Sequence, residues 1–410
     1  MVERDRPVAT LVRRRVGDGR GDFDRIVSLR WLVEAGWFAA LLYQLAVIAA
    51  ALVHRKRRDP PLGSAPFVSV LKPLHGPDPH GEQALRSHLQ QDYPAYEVLF
   101  GLRSLQSSFR NWLEGFVRSY GLGRVRLILA EPSLANQKVG VLAELARHAR
   151  GEIFVVNDSD IEVHQGYLRE VVAPLGDPTV GLVTCLYRGM SDHFPGKFEA
   201  LGIATDFAPG VLVAPFVGVR EFGLGATLAF RRETLERIGG FEAIGDYLAD
   251  DYQLARRIRQ AGYRIHLSRT VVTTWLGGQS WREVWRHQLR WHRTIRACKG
   301  LGYAGLVVTQ ATFWSIVAAW AGQWFAAALL LTVRVLAGLT VGLGVLECSI
   351  TRRYWYLMPL RDLFGMLVWL GGWLVKRVEW RGEELAIDSE GRILGRIPLA
   401  ARVNPEARNR

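Results

Sequence analysis

Asp158-Ser159-Asp160 stands one residue beyond the apolar run Ile153-Phe154-Val155-Val156. Two carboxylates at the end of a buried strand offer hard oxygen ligands, and Mg²⁺ commonly holds a diphosphate through one or two carboxylates. The same spacing also occurs as strand-to-turn punctuation, so its meaning depends on what accompanies it. A second acidic pair, Asp250-Asp251, precedes the helical pattern Tyr252 to Ile258, where carboxylates favour the helix amino terminus. Further on, His287-Gln288-Leu289-Arg290-Trp291 joins a guanidinium able to clamp phosphate with a flat indole wall. Its competing reading is a basic helix beside a membrane, with Arg282, Arg286, Arg290 and Arg293 toward anionic lipid.

The elements that must position these groups alternate along residues 65–300. Strand patterns at Phe67 to Leu71, Tyr96 to Phe100, Val125 to Leu129 and Ile153 to Val156 are separated by helical patterns such as Glu82 to Gln91 and Lys138 to Ala149. Strands alternating with helices predict a doubly wound, mostly parallel sheet. Ligands bind such sheets at the carboxyl ends of the strands, where Asp158 and Asp160 fall.

The flanks are apolar. Residues 1–34 read as a basic tail, 35–53 as a transmembrane helix and 54–64 as a linker opening on His54-Arg55-Lys56-Arg57-Arg58. That basic cluster favours the cytosol on its side. Residues 301–376 read as a membrane region. Tyr303 to Glu347 suits a helical hairpin turning near Gly322-Gln323, with Arg334 aimed inward or drawn to the interface. Tyr354 to Leu374 is a third stretch, and 377–410 reads as a polar tail.

A net charge of +13 suits nucleic acid or an anionic membrane face. The apolar segments favour the membrane, and no nucleic-acid-binding motif is present. Three widely spaced cysteines argue against a disulfide framework or zinc site. Only six of the 52 basic residues are lysine, a bias suggesting a GC-rich bacterial genome and hence an inner-membrane protein.

The motifs form an ordered set: Val68 to Leu74, Asp92-Tyr93-Pro94, Asn136-Gln137-Lys138, Asp158-Ser159-Asp160, Gly223-Leu224-Gly225-Ala226-Thr227, Asp250-Asp251 and His287 to Trp291. Together they resemble the GT-A fold glycosyltransferases of family 2 and, more closely, family 21, across residues 65–300. The resemblance implies an α/β, doubly wound nucleotide-diphospho-sugar transferase domain with one N-terminal and two to three C-terminal transmembrane helices. It implies that Asp158 and Asp160 bind Mg²⁺ or Mn²⁺ on a UDP-sugar diphosphate, and that Asp251 takes the proton of the acceptor hydroxyl. Lys72, Lys138, Asp158, Gly225, His287, Arg290 and Trp291 would contact the donor. Tyr187-Arg188-Gly189 would border the acceptor groove. His287 departs from the family's Gln or Arg at that motif position. A second departure is Gly101 to Ser108, which lacks the carboxylate relatives carry there for the nucleotide base; Ser104 or Ser107 could substitute.

The expected activity is inverting transfer of a sugar from a UDP-sugar to a membrane lipid at the cytosolic face. UDP-glucose with ceramide leads, with UDP-N-acetylglucosamine and a hopanoid as the competing pair. A non-catalytic nucleotide-sugar-binding membrane protein and a metal-dependent phosphohydrolase are the other classes; the latter would need a second metal cluster.

Overall fold

The computed structural model describes residues 19–103, 107–121, 123–374, 377–380 and 383–398. Ser104, residues 1–18 of the basic tail and residues 399–410 lie outside the described residues.

The four strands expected from sequence form, and run parallel. They are β1 (Val68–Leu74), β2 (Tyr96–Arg103), β3 (Val125–Ala130) and β4 (Ile153–Val156). Four more follow: β5 (Ile161–Glu162), β6 (Val180–Met190), β7 (Leu228–Arg231) and β8 (Arg264–Trp275). The sheet order is β3-β2-β1-β4-β7-β6-β8-β5. Only its first half is uniformly parallel, because β7 pairs antiparallel with both β4 and β6. β1, β2 and β4 are buried along nearly their whole length, which explains their continuous apolar sequence. At Gly101 an added Cβ would collide with Val141, so glycine lets the helix Gln137–His148 lie close on β2.

That helix is also fixed at its start. Asn136 Oδ1 accepts the backbone N–H of Lys138 and Val139 at 3.1 and 3.3 Å, while its amide donates to Tyr247 O at 2.8 Å. Asn136→Ala is expected to cost about 1 kcal/mol from the cap alone. It should also loosen Lys138 and the loop at Tyr247; chemical denaturation beside a transfer assay checks both.

Among the described residues, three helices are long and apolar enough to cross a membrane: Arg30–Lys56, Phe194–Val217 and Trp324–Gly342. Gly302–Thr309 and Ala311–Trp320, bent by 65°, make a fourth if counted as one span. The hairpin turn falls at Ala321 to Gln323, as expected. Phe194–Val217 was not anticipated. It lies inside the stretch assigned to the α/β domain, and its apolar run is interrupted by Lys197, Glu199 and Asp206. The third expected stretch is a helix of 17 residues, Met358–Leu374. It buries Arg361 and Asp362. Asp362 receives Arg334 through two bonds of 2.9 and 2.6 Å and Thr312 Oγ1 at 2.6 Å, so Arg334 points inward.

Within the stretch read as a polar tail, β9 (Arg377–Trp380), β10 (Glu383–Ile387) and β11 (Ile393–Pro398) form a sheet. It packs Leu385 and Ile387 on Leu248 and Ala297. Leu248 N donates to Gly391 O at 3.0 Å and Ile393 N to Asp246 O at 2.8 Å. The segment before Asp250 is therefore held by Asn136 on one side and by this sheet on the other. All three cysteines are free.

Candidate active site

A cavity of about 780 Å³ opens at the carboxyl end of β4, within the size range of small-molecule sites. Lys138, Asp158, Asp160, Gly225, Asp251, His287, Arg290 and Trp291 all line it. Lys72 does not. Its side chain is buried beneath the floor, and Nζ donates to the carbonyls of Asp158 and Ile161 at 3.0 and 3.3 Å. Burial lowers the Lys72 pKa to about 7 against the opposing pull of Asp160, Asp158 and Asp78. Lys72 therefore supports the turn carrying the Asp158 pair from below.

Lys138 joins the two acidic pairs, with Nζ 2.7 Å from Asp158 Oδ1 and 2.9 Å from Asp250 Oδ2. Burial works against its charge, but Asp158 and Asp250 outweigh that and hold its pKa above the ordinary lysine value. Gly225 ties the pairs through its backbone: its N–H donates to Asp251 Oδ2 at 3.1 Å and its carbonyl accepts Asp158 N at 3.2 Å. A Cβ there would sit 2.7 Å from Asp158 Oδ2, so the carboxylate occupies the space that glycine leaves. Asp251 Oδ1 also accepts Tyr252 N at 2.7 Å, satisfying a free amide of the helix Asp250–Gln260. Burial and the neighbouring Asp250 raise the Asp251 pKa to about 6, with Lys138 pulling the other way.

Asp160 accepts Thr274 Oγ1 of β8 at 2.7 Å. Burial and the Asp158 charge raise its pKa to about 6. A pair of oxygen donors whose negative charges oppose each other suits a divalent cation. Among the described residues no group of three or more His, Cys, Asp or Glu converges. A cation here would thus take its remaining ligands from phosphate or water, the Mg²⁺-like pattern.

The opposite wall is aromatic. Phe207 lies 5.4 Å from Tyr187 and 5.7 Å from Trp291, centroid to centroid, and Trp291 meets His287 edge-on at 4.8 Å. Phe207 belongs to the apolar segment Phe194–Val217. The same segment supplies Glu199, which accepts His287 Nδ1 at 2.6 Å and Gln288 Nε2 at 2.8 Å. Arg361 Nη2 in turn donates to Gln288 Oε1 at 2.8 Å. At the mouth Glu379 of β9 pairs with Arg286 at 3.3 Å. Sequence reasoning missed Glu199, Phe207 and Glu379. Asp250 was read as a helix-end charge, and here it also binds Lys138.

The model for glycosyl transferase family 21 matches residues 33–393, and the chain belongs to that family. Ceramide glucosyltransferase 1 of Caenorhabditis elegans is 28% identical over 239 residues, covering 56% of this chain and 50% of the relative. A probable glycosyltransferase of Bacillus subtilis is 23% identical over 250 residues, covering 56% and 55%. The chain thus spans about half the length of the curated relatives it matches. A mannosyltransferase from Pyrobaculum calidifontis, solved with GDP-Man and Mn²⁺, aligns with a TM-score of 0.49 at 23% identity over 82% of this chain and 99% of that one.

Proposed function

We propose that this protein is an inverting, metal-dependent glycosyltransferase that moves glucose from UDP-glucose to the hydroxyl of a ceramide-class lipid. The observation that carries this reading is one cavity joining two acidic pairs to an aromatic wall built on an apolar helix. Family membership and the ceramide glucosyltransferase relatives support the lipid acceptor and the donor. The basic run His54 to Arg58 supports a cytosolic domain on a bacterial inner membrane.

In this reading Asp251 accepts the acceptor's hydroxyl proton as that oxygen attacks the anomeric carbon. A single displacement breaks the bond to the diphosphate and inverts the centre. Arg290 holds diphosphate oxygens. Lys138 keeps Asp158 and Asp250 in place rather than gripping phosphate itself, since both carboxylates already occupy it. Tyr187, Phe207 and Trp291 border the lipid. Asp158 and Asp160 would hold Mg²⁺ or Mn²⁺, which supplies charge neutralisation to the leaving diphosphate.

The test is transfer by membranes containing the full chain, with Mn²⁺ and several UDP-sugars, read by mass spectrometry of the lipid. Nucleotide-sugar binding with no lipid product from any donor would instead support a non-catalytic binding module. For the metal, Mn²⁺ at a hundredfold excess over Kd with UDP is expected to stabilise the wild type by about 2.7 kcal/mol. Asp160→Asn is expected to lose most of that stabilisation in a thermal melt.

A further inference from the structure

Two of the apolar helices, Arg30–Lys56 and Phe194–Val217, run out at the same place. Between their ends lies a second cavity, of about 180 Å³, which shares no lining residue with the cavity of the acidic pairs. One side is apolar and open, with Val53 44% and Phe216 61% exposed. The other side is cationic, with Arg57, Arg220, Arg259 and Arg264 contributing to its lining. No Asp or Glu among the described residues lines it. Arg264 is committed to Asp177 at 2.6 Å, and one Arg259 nitrogen to Tyr263 O at 3.0 Å. Arg57 and Arg220 have no carboxylate partner among the described residues. The nearby Asp59 does not line the cavity, and its carboxylate is taken by His266, Ser268 and the backbone of Arg269.

A second observation points to a ligand. His54 lines this cavity and is only 4% exposed, yet its Nε2 has no hydrogen-bond partner. Buried polar atoms are nearly always satisfied, so an orphan in a cationic pocket calls for a partner.

We propose that this cavity binds the phosphate of an anionic phospholipid headgroup. Arg57 and Arg220 face the phosphate, His54 Nε2 meets one of its oxygens, and the acyl chains leave along Val53 and Phe216. The amphipathic lining selects a lipid over a free anion, because half of the wall has nothing to offer inorganic phosphate. The site fixes the depth at which both helices meet the membrane surface. Through Phe194–Val217 it also sets the position of Phe207 and Glu199 in the larger cavity.

The test uses the full chain in phosphatidylcholine nanodiscs with and without phosphatidylglycerol, and native mass spectrometry counts the lipid retained after extraction. Wild type is expected to retain phosphatidylglycerol over phosphatidylcholine. Arg57→Ala/Arg220→Ala is expected to lower retention by roughly thirtyfold, the loss for two cations facing an anionic headgroup. Arg57→Lys/Arg220→Lys should keep most of it. Equal retention of the two lipids by wild type, or undiminished retention by the alanine pair, overturns the proposal. Displacement of phosphatidylglycerol by equimolar inorganic phosphate assigns the pocket to a free anion and overturns it too. Wild-type selectivity is read without any variant, so an alanine pair that fails to fold leaves the test standing.

Discussion

Asp251→Asn is expected to lower turnover by about 10²–10⁴-fold, the usual contribution of a positioned general base, with donor affinity nearly unchanged. The geometry makes the substitution clean. Asn retains the shape and an oxygen for Gly225 N or Tyr252 N, which the carboxylate now accepts at 3.1 and 2.7 Å. What it loses is the proton-accepting charge. Because burial and Asp250 raise the Asp251 pKa to about 6, the acid form dominates below that value and the competent carboxylate above it. Wild-type turnover should therefore fall as pH drops through about 6, and the residual turnover of the variant should lack that limb. Saturating-substrate kinetics across pH, beside isothermal titration of the donor, reads both. Undiminished turnover would remove Asp251 from the base role and leave it as a helix-end carboxylate.

The second large effect is on stability. Asp362→Ala leaves the Arg334 guanidinium buried among apolar helices without the carboxylate that now accepts two of its bonds. Removing one partner of a buried ion pair typically costs about 3–5 kcal/mol, because the remaining charge stays desolvated. Arg334→Met/Asp362→Leu replaces both charges by apolar groups and should recover most of the loss. Thermal melts of the purified chain in detergent compare the three proteins. A double variant no better than Asp362→Ala would show that the pair is needed for more than mutual neutralisation.

The sequence exposed the part of the fold governed by local pattern. Ile153 to Val156 and Tyr96 to Phe100 read as strands because parallel strands buried on both faces need unbroken apolar runs. The helix Gln137–His148 was legible from its helical pattern, while its Asn136 cap emerged only in the structure. The antiparallel insertion of β7 was not, since four residues carry no pairing direction. Phe194–Val217 hid behind Glu199 and Asp206, and the partners of Glu199, His287 and Gln288, are distant in sequence. The Asp158 and Asp251 motifs stood out as short strings. Lys138 bridging Asp158 to Asp250 is a tertiary fact, and no spacing announces it. The stretch 377–398 looked like tail because Arg, Glu and Gly make up half of it, and the buried anchors of its sheet are two residues, Leu385 and Ile387.

That small sheet has a consequence for the order in which the protein becomes competent. A chain emerges from the ribosome amino end first, and its units fold as they are completed. The α/β strands and the Asp246–Ala249 segment leave the ribosome long before residues 377–398. The helices Trp324–Gly342 and Met358–Leu374 are made in between. Gly391 O and Ile393 N, which grip Leu248 and Asp246, are thus delivered only after those helices have been synthesised. The segment leading to Asp251 gains its last support when the apolar helices are already made, so a chain stalled before them carries both aspartate pairs of the site and none of the clasp.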